Sequence, residues 1–202
     1  MDKPHQNGKQ FFEAVENAIA AGEGLSDLDA VQLFDIAANH VALLLHDAME
    51  LFGRSSYGTA VFLSITAMEE TAKAEILGYR AQRSDKKNGR DPLRDHKQKH
   101  IIAVRPTTFM GRLPSILGAE ACARLQAEAE SGGFIELREK ALYVHAGATG
   151  ITAPLDIVTK LRAKEILLVS LECADDILVG YTNKSFELGK SFERWIAEIE
   201  TL

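Results

Sequence analysis

The sequence predicts an all-α fold, an antiparallel helical bundle with extra peripheral helices, in which all 202 residues form one domain with its core at about 26–184. Three observations predict it. Apolar residues recur at spacings of three and four through long stretches, the period of one helix face. No stretch alternates apolar and polar residues as a half-buried strand does. The glycines and prolines fall mostly between the helical patterns, where they punctuate the chain.

The elements follow in order. A first helix covers Lys9–Ala21 and ends at Gly22. A second opens at Ser26-Asp27-Leu28-Asp29, a capping box with Asp in place of Glu, and runs to about Phe52 with Gly53 as its stop. Leu33, Ile36, Ala37, His40, Leu44, Ala48 and Leu51 share one face of it. The third helix, Tyr57–Arg83, carries an apolar face of Val61, Ile65, Met68, Ala72 and Ile76. A polar loop, Ser84–Asp91, leads to Pro92. A short helix at Arg94–Val104 is stopped by Arg105-Pro106, because the residue before a proline is biased away from the helical region. The stretch from there to Gly118 reads as irregular. Ala119–Glu130 is helical, Ser131-Gly132-Gly133 breaks it, and Phe134–Ala146 resumes a helix that ends at Gly147. Long helices at Leu155–Thr182 and Ser185–Leu202 close the chain.

Composition narrows the class. With 46% apolar and 26% charged residues, the chain has enough apolar material for a core and no bias toward disorder. Cys122 and Cys173 lie inside helical patterns without a CxxC neighbour, so reduced thiols in a cytoplasmic protein are expected. The first residues lack the apolar stretch of a signal peptide. The longest apolar run, Ala60–Met68, is about half a membrane span, so no membrane insertion is expected.

Charge is unevenly placed. The chain carries −6 overall, yet Arg80–Arg105 holds nine Lys or Arg against three Asp, an excess of +6. The remaining residues therefore carry −12. A basic stripe on an acidic body suits a local contact with phosphate, and a solvated loop is the alternative reading.

Three groups of residues carry chemistry. Asn39 and Asp47 lie along one face of the second helix, while Glu69 borders the apolar stripe of the third, with Lys73 one turn on. These four are expected to form a partly buried polar cluster that fixes the packing or lines a site, or else Glu69 and Lys73 form a surface pair. The second group is His96, Lys97, Lys99 and His100 inside the basic stripe, able to contact phosphate or a base edge. The third runs from Arg138 through Tyr143 to His145. On a continuous helix, residues seven apart point the same way about 10 Å apart along the axis, so Arg138 and His145 are expected to face together. A phosphate-holding arginine beside a histidine that titrates near neutral pH is sufficient for RNA cleavage without metal. No metal-ligand spacing is visible, and no cofactor is expected.

Taken together these residues resemble a known family. Asn39-(x)3-Leu43-Leu44-(x)2-Asp47-Ala48, Tyr57-(x)2-Ala60, Glu69-Glu70-(x)2-Lys73, His96-Lys97-Gln98-Lys99 and Arg138-(x)3-Leu142-Tyr143-Val144 resemble, in order and approximate spacing, the AbiV family of abortive-infection proteins. That family looks like a member of the HEPN group of helical bundles. Many HEPN proteins are ribonucleases with an arginine followed at four to six residues by a histidine, and Arg138 and His145 fit the long end of that pattern. Glu139 stands where that motif usually has a small polar residue or histidine. The resemblance implies a phage-defence role, catalysis by Arg138 and His145, and a homodimer that brings two such pairs together. It also implies RNA as substrate and activation by a phage-encoded protein. The alternative is a non-catalytic module that binds a partner protein or a nucleotide.

Overall fold

The structure is a computed structural model that describes residues 4–21, 30–80, 91–147 and 150–202. Helix makes up 84% of the described residues, so the chain is all-α. The helices are α1 (Pro4–Ala20), α2 (Ala30–Gly53), α3 (Tyr57–Arg80), α4 (His96–Phe109), α5 (Leu113–Leu117), α6 (Ala119–Ser131), α7 (Gly133–Leu142), α8 (Pro154–Ile157), α9 (Lys160–Leu178) and α10 (Asn183–Thr201). A 3-10 turn at Pro92–Arg94 precedes α4, and a small hairpin of β1 (His145–Gly147) and β2 (Gly150–Thr152) follows α7. The capping box at Ser26–Asp29, the last turn of the third helix to Arg83, and the Ser84–Asp91 loop up to residue 90 lie outside the described residues.

Helix α3 is central, packed on α2, α4, α7 and α9. Its sequence explains this position. Ala60, Val61, Ser64, Ile65, Ala67, Met68, Thr71, Ala72, Ala74 and Ile76 are all buried, which leaves little of its circumference for water. The small residues let neighbouring helices approach. The buried hydroxyls of Ser64 and Thr71 donate to the carbonyls of Ala60 (2.8 Å) and Ala67 (2.9 Å), so their burial leaves no hydroxyl unpaired. Helix α9 is buried without interruption from Ile166 to Ala174. One apolar core runs from Ala14 in α1 to Ile199 in α10.

Four sequence expectations are corrected. The fourth helix does not stop at Arg105-Pro106 but continues to Phe109 with Pro106 inside it. An internal proline costs about 3 kcal/mol. Burial of Ile101, Ile102 and Val104 on that helix offsets this, since each such side chain contributes about 1.5–3 kcal/mol. Part of the stretch read as irregular forms α5. The expected helix Leu155–Thr182 is two, because Val158 is extended (φ −99°, ψ 99°) and Thr159 caps α9 by accepting from the Arg162 amide at 3.2 Å.

The fourth correction bears on function. The helix expected to reach Ala146 ends at Leu142. Tyr143 is already extended (φ −111°, ψ 148°), and β1 begins at His145. Its pairing with β2 is antiparallel, His145 opposite Thr152 and Gly147 opposite Gly150. Gly150 has φ +124°, a conformation that favours glycine and turns the chain back. A helical spacing argument therefore does not reach His145.

Candidate active site

Glu69 sits on α3 where α4 and α7 cross it. The residue is 3% exposed, and its two carboxylate oxygens meet four nitrogen donors. Oε2 accepts from Lys99 Nζ (2.6 Å) and His96 Nδ1 (2.7 Å). Oε1 accepts from Arg138 Nη1 (2.6 Å) and His100 Nε2 (3.1 Å).

The local sequence puts each donor there. Asp95 caps α4, its carboxylate accepting from the Lys97 amide at 2.9 Å, which fixes where the helix starts. His96, Lys99 and His100 then fall at i, i+3 and i+4, one face of that helix. On α7, Phe134, Arg138 and Ala141 fall at i, i+4 and i+7, and Phe134 and Ala141 are buried. The core face of α7 thus carries Arg138 inward. Phe134 meets the His100 ring edge-on at 5.6 Å between centroids, which restricts the orientation of the imidazole.

Electrostatics follow from the geometry. Burial raises the Glu69 pKa, but hydrogen bonds and charge from His100 and Lys99 outweigh it and hold the carboxyl well below the usual range. Burial pushes the His100 pKa down, against the pull of Glu69 and with the charges of Arg138 and Lys99. His100 donates from Nε2 to Glu69, while its Nδ1 is enclosed without a partner among the described residues. Arg138 and Lys99 set two positive charges against the single negative charge of Glu69, one in excess. Arg138 uses only Nη1, which also lies 3.3 Å from His96 Nδ1. Its Nε–Nη2 edge has no partner among the described residues, and that edge matches two oxygens of a phosphate.

The other expected site residues fall elsewhere. Lys73 pairs with Glu70 at 2.5 Å, because Glu69 is buried and already occupied by Lys99. Asp47 is exposed, 3.7 Å from His46, and Asn39 is half-buried on α2. The expected cluster of Asn39, Asp47, Glu69 and Lys73 is thus replaced by one centred on Glu69 alone. Of the four residues expected to face RNA, Lys99 and His100 are buried, and only His96 and Lys97 reach solvent. Among the described residues of the basic stripe, Arg80, Lys99 and Arg105 are held in internal pairs, and Arg83, Lys86, Lys87 and Arg90 lie outside the described residues. Arg80 donates to the Ala18 carbonyl (2.7 Å) and to Asp91 (2.6 Å), and Arg105 pairs with Glu130 (3.2 Å). Tyr143 is exposed at the end of α7. His145 is half-buried on β1, with Nε2 enclosed and unpartnered among the described residues. It is not one of the groups gathered around Arg138.

The spacing of His96, Lys99 and His100 was a visible sign of a helix face with inward-pointing nitrogens. That Glu69 and Arg138 would meet them was not visible, since Arg138 lies 69 residues from Glu69 in the chain.

Among the described residues no helix is long and apolar enough to cross a membrane. No curated protein and no solved structure matches the chain. The AbiV family of HEPN domains (HEPN_AbiV) matches residues 30–175, which takes in α2 through most of α9 and every residue of the Glu69 cluster. The family implies an abortive-infection role in phage defence. The chain belongs to the AbiV family of HEPN domains.

Proposed function

We propose that the protein is a metal-independent endoribonuclease that acts in the cytoplasm during abortive infection. It cleaves RNA and halts translation once a phage-encoded protein activates it. The observation that carries this reading is the open Nε–Nη2 edge of Arg138, held over a buried cluster with one positive charge in excess. A guanidinium fixed by a buried carboxylate on one side offers its other side to a phosphodiester and stabilises the charge that builds there. A histidine beside it supplies the proton transfer. The AbiV family supports the defence context. A homodimer would place two such clusters around one RNA, and this belongs to the proposal.

The test uses the purified chain with total RNA in EDTA, with and without extract fractions that carry phage proteins and lack host ribonucleases. The expected result is cleavage that survives EDTA, leaves 2′,3′-cyclic phosphate ends and disappears in Arg138→Ala. Protection from phage by Arg138→Ala equal to wild type would favour the second reading, a non-catalytic module. One observation favours that alternative: all four donors around Glu69 already satisfy it, as a structural hub would require.

A further inference from the structure

We infer that His96, oriented by Glu69, is the proton-transfer residue of this site, and that His145 is not. This rests on the ribonuclease reading above.

The five residues of the cluster divide by access. Glu69, Lys99 and His100 are each no more than 3% exposed and cannot touch a substrate in this arrangement. The His96 side chain is 43% exposed and that of Arg138 19%. A substrate approaching the site therefore meets an imidazole and a guanidinium side by side, 3.3 Å apart at their nearest nitrogens. His145 offers the opposite arrangement, with Nε2 enclosed and unpartnered.

The contacts at His96 Nδ1 select its tautomer. The nearest group is Glu69 Oε2 at 2.7 Å, while Lys99 Nζ and Arg138 Nη1 are each 3.3 Å away. A lone pair on Nδ1 would face the carboxylate at the shortest of these distances, so the proton sits on Nδ1 and is donated to Glu69. The two ring nitrogens point to opposite sides of the imidazole. With Nδ1 turned inward, Nε2 carries the free lone pair and has no partner among the described residues. A carboxylate that fixes the tautomer and leaves the other nitrogen to accept a proton is the working arrangement of a general base. Glu69 is here a positioning residue and His96 the catalytic one.

His96 Nε2 takes the proton of a ribose 2′-hydroxyl. The 2′-oxygen forms a bond to the adjacent phosphorus, whose charge Arg138 stabilises through its open edge. The bond from phosphorus to the 5′-oxygen breaks, and that oxygen takes a proton from solvent. The products are a 2′,3′-cyclic phosphate and a 5′-hydroxyl, and His96 returns its proton to solvent. A substrate with 2′-deoxyribose at the scissile position lacks the nucleophile and is not cut.

Two measurements test this. The first counts 2′,3′-cyclic phosphate ends in RNA from phage-infected cells producing wild type, His96→Gln or His145→Ala. Glutamine retains an N–H donor for Glu69 without a titratable nitrogen. The expected loss in His96→Gln is about 10²–10⁴-fold, to background. His145→Ala is expected to stay within about threefold of wild type. Ends that persist at the wild-type level in His96→Gln, or vanish in His145→Ala at an unchanged melting temperature, overturn this assignment alone. Infected wild-type cells without such ends overturn the ribonuclease reading and this assignment with it. The second measurement is independent of activity: the ¹⁵N shifts of the His96 ring. They are expected to report the Nδ1–H tautomer in the wild-type chain and its loss in Glu69→Gln. An Nε2–H tautomer in wild type would overturn the positioning role of Glu69.

Discussion

Two polar clusters flank the central helix, and their compositions are opposite. Around Glu69 one carboxylate faces four nitrogen groups from α4 and α7. Around Arg112, between α4 and α5, one guanidinium faces several carboxylates. Its Nε donates to Glu172 at 2.7 Å and 2.9 Å and its Nη2 to Asp175 at 2.9 Å, with Asp176 adjoining. Glu75 on α3 belongs to the same acidic region, and its Oε2 is shut off from solvent without a partner among the described residues.

The difference shows in which groups hold their charge. Burial acts on Glu69 as on the others, but its cationic neighbours win and keep it ionised. Burial raises Glu75 to about 7, with no cation to oppose it. Burial also raises Glu172 to about 7, because Asp175 and Asp176 offset part of the pull of the single Arg112. A carboxylate outnumbered by cations becomes a fixed anchor with positive charge to spare for an anionic ligand. Buried carboxylates without enough cationic neighbours to offset the cost of burial take up protons near neutral pH.

The comparison can be broken by mutation. The largest effect is expected at Glu69. Glu69→Ala leaves Lys99 buried and unpaired and removes the acceptor of Arg138, His96 and His100. Breaking a buried pair in this way costs about 3–5 kcal/mol. Urea or thermal denaturation measures it, and an unchanged midpoint would show that the cluster holds nothing together.

A smaller effect of opposite sign is expected at Glu75. Its folded pKa of about 7 lies above the ordinary glutamate value of 4.5, so the folded state holds the proton more tightly than the unfolded chain. That contribution to stability is present below about 4.5 and lost as pH rises through about 7. Glu75→Gln should therefore raise the stability by about 1–3 kcal/mol at pH 8 relative to wild type, and by little at pH 5. Melting curves at the two pH values check it. An equal effect at both would mean that the buried carboxyl does not titrate in this range. Glu69 contributes in the other direction: its depressed pKa gives stability that is present above about 4.5 and lost only in strong acid.

Much of the fold could be read from periodicity because helices α2, α3 and α10 bury one face or nearly all of themselves over four turns or more. The boundaries that failed are those decided by packing or by single extended residues. Pro106 is tolerated inside α4 because the residues before it are buried, and Val158 and Thr159 break the Leu155–Thr182 pattern with two extended residues. The hairpin at 145–147 and 150–152 is too short to show alternation. At the site, the sequence places Glu69 at the border of the core, but spacing alone pairs it with Lys73, one turn along the same helix. Lys73 instead took Glu70, and the buried carboxylate took Lys99 and Arg138 from other helices. Pairings of that kind depend on helix packing, which local spacing does not encode.

In the proposed reaction Arg138, fixed by Glu69, presents the free edge of its guanidinium to an RNA phosphate. Arg138→Lys tests it most directly, because lysine keeps the charge and loses the fork. The measurement is the number of 2′,3′-cyclic phosphate RNA ends in phage-infected cells, with the melting temperature of the purified variant as the control for folding. The account predicts that these ends fall to background in Arg138→Lys while the variant remains folded. Wild-type numbers of ends, with undiminished protection from phage, would contradict it.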